Sequence, residues 1–128
     1  MNNLYMIRNV LASGKSIFDI ELRVTYYARV STDRDEQLNS LENQIMFFEN
    51  YIKKNTNWIF IKGYIDEGLS GTSVKKRKNF LRMINDAKNG MFDLILTKEI
   101  SRFSRNTVDS IQYTKELLSY GVGIYFLN

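Results

Sequence analysis

The sequence predicts an α/β fold, with a parallel sheet covered by helices on both faces. Three observations predict it. Runs rich in β-branched and aromatic residues alternate with helix-periodic runs in the order βαβαβαβ. Apolar residues in the helical runs recur every three or four positions. Glycine closes the second and third helical runs.

Each element has its own justification. Residues 21–28 (ELRVTYYA) are rich in Val, Thr and Tyr and read as the first strand. Leu38, Leu41, Ile45, Phe48 and Ile52 then form the stripe of a helix over about residues 38–54. Residues 58–65 (WIFIKGYI) are the second strand, and residues 66–76 (DEGLSGTSVKK) a polar loop. Phe80, Leu81, Ile84 and Ala87 mark a helix over about residues 77–89, which Asn89-Gly90 ends. Residues 93–98 (DLILTK) are the third strand. Residues 106–120 are the third helix, with Val108, Ile111, Lys115 and Leu118 along one side and Gly121 as its stop. Residues 122–127 (VGIYFL) are the fourth strand. Right-handed crossovers restrict the topology further. Residues 1–20 lie outside this scheme. Leu4, Ile7, Val10 and Leu11 line one side of a short helix that Ser13-Gly14 breaks, which suits a surface appendage or an interface equally.

Composition narrows the chemistry. A chain of 128 residues with 44% hydrophobic and 25% charged residues is one globular domain with a real core. Cysteine and histidine are both absent, which excludes disulfides, thiol catalysis, Cys/His zinc sites and histidine-based triads. No apolar run approaches the roughly 18 residues of a membrane span, and the N-terminus lacks a signal-peptide core, so a soluble cytoplasmic protein is expected. Residues 1–66 hold 8 basic and 8 acidic side chains, whereas residues 67–128 hold 10 and 6, so the second half carries the net +4. Such asymmetry favours an anionic partner, nucleic acid being the commonest.

In an open parallel sheet, ligands bind beyond the carboxyl ends of the strands. The first strand runs out into Arg29-Val30-Ser31-Thr32, the second into Asp66-Glu67-Gly68-Leu69-Ser70-Gly71, and the third into Lys98-Glu99-Ile100-Ser101-Arg102, with Arg105 following. Parallel topology gathers all three on one edge. Arg29 and Ser31 are two apart and share a side of an extended chain. Arg102 and Arg105 are three apart and align on a helical turn. Guanidinium groups suit bidentate phosphate recognition, and a serine among them can attack phosphorus. With no histidine, its activation falls to arginines, a carboxylate or water. Blander readings stand beside this one: a strand-end serine caps a turn, Asp66-Glu67-Gly68 is a turn, and the KKRK run at 75–78 is a solvated charge face. Asp33, Asp35, Asp66 and Glu67 offer oxygens to a magnesium ion, with no tight ligand spacing to support it. No Walker loop is present.

The motif YARVST at 27–32 resembles the nucleophile motif of the serine site-specific recombinases, the resolvase/invertase family. The resemblance continues through SLENQ at 40–44, DEGLSG at 66–71, Arg77, and SRFSRN at 101–106, in family order over about residues 22–128. The long spacing from Ser31 to Gln44 is most similar to the large serine recombinases of transposon and phage-integrase type. The resemblance implies a three-layer α/β/α sandwich around a mainly parallel sheet of four to five strands. It implies that Ser31 is the nucleophile that cleaves DNA through a 5′-phosphoserine link. Arg29, Arg102 and Arg105 would hold the scissile phosphate. Arg77 and Gln44 would support phosphate placement, Ser70 would lie at the site edge, and Tyr27 would buttress the nucleophile. It further implies action on DNA as a dimer and tetramer, DNA integration or transposition as the outcome, and no need of metal, ATP or other cofactor. Residues 1–20 are then an N-terminal extension and 21–128 a catalytic domain ending before the family's long dimer helix and DNA-binding region, a fragment expected to be inactive alone. Many small resolvases carry Asp where this chain has Ser101, so no carboxylate is assigned there. The alternative is a flavodoxin-like regulatory or oligomerisation module with a basic edge.

Overall fold

A computed structural model describes residues 12, 16–30, 34–67, 77–98 and 107–127. Strand β1 (Leu22–Val30) is followed by helix α1 (Arg34–Lys54), β2 (Trp58–Glu67), α2 (Lys78–Lys88), β3 (Leu94–Thr97), α3 (Thr107–Ser119) and β4 (Gly123–Phe126). The four strands form one sheet in the order β2-β1-β3-β4, and each neighbouring pair is parallel. The alternating order expected from the sequence is therefore the order found. From β1 the chain moves outward to β2, then returns across β1 to β3. Crossovers running in opposite directions place their helices on opposite faces of the sheet.

Side-chain alternation confirms the layers. Leu22, Val24, Tyr26 and Ala28 of β1 and Leu94 and Leu96 of β3 pack with Phe48 and Ile52 of α1. Tyr27 and Ile95 face the other way, into a core with Phe80, Met83, Ile84 and Ala87 of α2 and Leu117 of α3. Both faces of β1 and β3 are covered, which is why those strands read as nearly continuous apolar runs.

The boundaries differ from expectation at polar ends. Helix α1 starts at Arg34, a turn before its first apolar marker. Its opening residues, Arg34-Asp35-Glu36-Gln37, carry no apolar stripe to announce them. Strand β2 runs to Glu67, so Asp66 and Glu67 belong to the sheet and not to a turn. The two glycine stops are confirmed: Gly90 and Gly121 have φ of 75° and 81°. At each stop the next amide reaches back five residues, Met91 N to Asp86 O at 3.1 Å and Val122 N to Leu117 O at 2.9 Å.

Strand β2 contains an irregularity. Val24 of β1 pairs with Phe60 and Tyr26 with Gly63, so β2 spends one extra residue there. The Thr25 hydroxyl donates to the Lys62 carbonyl at this point. Gly63 has to be small, because a Cβ there would lie 2.1 Å from Cζ of the Tyr26 ring.

Two features close the amino edge of the sheet. The Arg23 guanidinium makes a two-pronged pair with buried Asp93, Nη2 to Oδ1 at 3.0 Å and Nε to Oδ2 at 3.2 Å, and its backbone N–H donates to Oδ2 at 2.9 Å. Residues before β1 also join the core: a 3₁₀ turn, Ile17–Asp19, is capped by Ser16, and Phe18 stacks on Trp58 at 5.2 Å. The Trp58 indole N–H donates to the Ile17 carbonyl at 3.1 Å.

Candidate active site

At the carboxyl edge, β1 presents Tyr27 and Arg29 toward the layer of α2 and α3, two residues apart on an extended strand. Arg29 is in register with Asp66 of β2. Both are buried, at 8% and 6% exposure. A buried carboxylate needs partners, and Asp66 has three. Its Oδ2 accepts from the Tyr27 hydroxyl and from the Phe80 amide, each at 2.9 Å, and its Oδ1 accepts from the Asn79 amide at 2.9 Å. Asp66 thus satisfies two of the orphan amides at the start of α2 from a neighbouring strand, because the residue before the helix, Arg77, makes no side-chain cap. The Asn79 side chain donates to the Ile65 carbonyl at 2.7 Å and fastens the same junction.

Arg77 is only 2% exposed. Its Nε donates to the Tyr27 oxygen at 3.0 Å, and its guanidinium lies 4.2 Å from the Phe80 ring centroid and 5.0 Å from that of Tyr27. Tyr27 therefore stands between a cation and an anion, donating to Asp66 and accepting from Arg77. Burial pushes the Tyr27 phenol well above its ordinary range; the Arg77 charge opposes this and Asp66 adds to it. The group is a neutral spacer at ordinary pH, not a base or nucleophile. Two guanidinium groups, Arg29 and Arg77, flank one carboxylate already committed to three donors. With the exposed Glu67 beside them, these arginines still offer the edge two guanidinium groups of the kind that grip an anionic group.

The structure brings together Tyr27, Arg29 and Arg77 of the expected site residues. Gln44 lies in the other layer, half-buried on α1. It is one turn closer to the carboxyl edge than Phe48, whose ring stacks on Tyr26 at 4.8 Å. Ser31, Ser70, Arg102 and Arg105 fall outside the described residues. One reading is corrected: within the KKRK run at 75–78, Arg77 is not part of a solvated face but is held beneath Tyr27 and Phe80. The magnesium alternative loses one of its four carboxylates, because Asp66 is occupied as a cap. No group of three acidic residues able to hold a metal ion exists among the described residues.

The sequence does not announce the roles of two residues at this edge. Asp66 is legible as a strand-end carboxylate and a metal-ligand candidate, but its capping role depends on residues 13 and 14 positions away. Thr97 ends β3 with no exposure, and its hydroxyl has no hydrogen-bond partner among the described residues. Nothing in the sequence distinguishes it from any other strand threonine.

A family model described as the N-terminal domain of resolvase matches residues 24–128. Among solved structures, the N-terminal catalytic domain of TP901-1 integrase is similar at 30% identity and a TM-score of 0.72, over 83% of this chain and 78% of that one. A resolvase family site-specific recombinase from Streptococcus pneumoniae is 31% identical with a TM-score of 0.69, over 83% and 72% of the two chains. The C-terminal catalytic domain of ISC1926 TnpA, an IS607-like serine recombinase, is 26% identical with a TM-score of 0.69, over 82% and 70%.

Proposed function

The chain belongs to the resolvase N-terminal domain family, and from that premise we propose that it breaks and rejoins DNA through a serine–phosphate intermediate in site-specific recombination. The observation that carries this reading is the buried edge that gathers Tyr27, Arg29 and Arg77, from which the chain continues directly into Val30 and Ser31.

In this reading the Ser31 oxygen attacks a backbone phosphorus. The bond from phosphorus to the 3′ oxygen breaks as the bond to serine forms. The serine proton passes to solvent or a neighbouring base, and the 3′ oxygen takes up a proton from solvent as it leaves, ending as a hydroxyl. Arg29, with Arg102 and Arg105, holds the phosphate and offsets the charge that accumulates on its oxygens in the transition state. Arg77 supports that placement through Tyr27, and Gln44 and Ser70 bound the site. The phosphoserine link retains the energy of the broken bond, so religation needs no metal, ATP or other cofactor. Cutting both strands of two duplexes calls for four such serines, hence assembly of the protein on DNA as dimers and tetramers in the cytoplasm.

The test uses the protein expressed from its natural gene and nicked suicide duplexes drawn from the DNA flanking that gene. A covalent protein–DNA adduct is expected with the native sequence, with chelator present or absent, and none with Ser31→Ala. An adduct that survives Ser31→Ala overturns the mechanism.

A further inference from the structure

We propose that Thr97 is a positioning residue for strand cleavage, its hydroxyl holding the Arg29 guanidinium while that group engages the phosphate. The inference rests on the reaction proposed above. A buried hydroxyl without a partner lowers stability, whereas valine has the same shape and no such cost. Thr97 is such a hydroxyl: it has no exposure, and its oxygen has no hydrogen-bond partner among the described residues.

Its place in the sheet indicates what it serves. Leu96 pairs with Tyr26, so Thr97 follows beside Tyr27 on the adjacent strand. Alternation puts Thr97 on the face of Ile95 and Tyr27, the face that Arg29 shares two residues on. The Tyr27 hydroxyl bonds Asp66 and Arg77, and both Asp66 oxygens accept from Tyr27 or the start of α2. Of the two long donors on that face, Arg77 gives its Nε to Tyr27 and lies against the Tyr27 and Phe80 rings, whereas Arg29 stands on the strand adjacent to that of Thr97. A guanidinium has five N–H groups, and a two-pronged grip on phosphate uses two of them. An acceptor at its flank fixes the plane of the group and leaves its outer edge for the phosphate. The hydroxyl would then be satisfied in the DNA-engaged state and idle in the unbound chain.

The experiment compares native protein, Thr97→Val and Thr97→Ser on the same suicide duplexes, under single turnover at saturating DNA. Dissociation constants and melting temperatures are measured alongside. Thr97→Val is expected to melt about 2–4 °C higher. It is expected to bind the duplex with unchanged affinity and form the covalent adduct on the order of tenfold more slowly. Thr97→Ser is expected to recover most of the native rate. Native-rate attachment by Thr97→Val overturns the inference alone. So does a slow Thr97→Ser, or a loss of rate matched by a loss of folded protein. If the native protein forms no Ser31-dependent adduct, the inference falls together with the reaction it rests on.

Discussion

Tyr27→Phe isolates the one oxygen that joins Asp66 to Arg77. The ring stays, so its edge contact with Phe80 at 5.2 Å and its place under the Arg77 guanidinium are retained. Two hydrogen bonds to charged partners are lost, at 2.9 Å to Asp66 and 3.0 Å from Arg77. Such bonds are each worth about 1.5–3 kcal/mol, and Arg77 Nε loses an acceptor in a buried position. Allowing for partial relaxation around the vacated position, the variant is expected to be about 2–4 kcal/mol less stable. With a urea slope of about 1.5–2 kcal/mol per molar for a chain of this size, the unfolding midpoint falls by roughly 1–2.7 M with the slope unchanged. The single tryptophan, Trp58, is the probe. It is buried against Phe18 on the opposite face from Tyr27, so its fluorescence follows global unfolding and not local loosening of the edge. A midpoint within about 0.3 M of the native protein, a small fraction of that expected shift, refutes the reasoning. The hydroxyl would then be a bystander between Asp66 and Arg77.

Gly63→Ala is expected to destabilise the domain by about 2–4 kcal/mol, because the Tyr26 ring it meets cannot swing away. That ring is held between Phe48 at 4.8 Å and Phe60 at 6.1 Å. Urea titration measures the loss, and pairing the change with Tyr26→Leu should recover part of it; strictly additive losses would count against the contact. Stability should also fall in alkali. Burial pushes the Tyr26 phenol up to about 12 from an ordinary 10.0, with Glu49 adding to it, and burial raises Tyr27 and Tyr64 as well. The unfolded chain then releases these protons first, so the stability they confer is intact below pH 10 and drains away as pH climbs toward the folded values. A urea midpoint that stays flat from pH 9 to pH 12 would contradict the burial of these phenols.

The layering was legible because it is written locally. Leu38, Leu41, Ile45, Phe48 and Ile52 announce α1 whatever lies around them, and Gly90 and Gly121 mark helix ends by a backbone geometry that other residues adopt at a cost. The direction of the strands followed from their alternation with helices, and with it the edge where the arginines gather. Polar extensions were not legible. Asp66 and Glu67 read as a turn because strands are recognised by apolar content, while Asp66 is in the sheet for the sake of the Asn79 and Phe80 amides. Arg77 sat in a basic run whose other members suit solvent. Its burial is decided by Tyr27, fifty residues earlier. The resemblance to serine recombinases supplied Tyr27, Arg29 and Arg77 as a set, but it did not reveal that Asp66 links Tyr27 to the start of α2.

The extra residue in β2 has an effect beyond its own turn of chain. Trp58 and Phe60, before it, lean toward α1, whereas Ile61 and Tyr64, on either side of it, both lean toward α2. Counted by twos from Trp58, Asp66 would point to the wrong layer. The bulge resets that parity and delivers the carboxylate to Tyr27. Deleting Lys62 or Gly63 would therefore be a frameshift in three dimensions. Each side chain beyond it would trade layers, leaving the first turn of α2 uncapped and a charged group among the rings under α1. One residue added between Phe60 and Asp66 would exchange the layers in the same way.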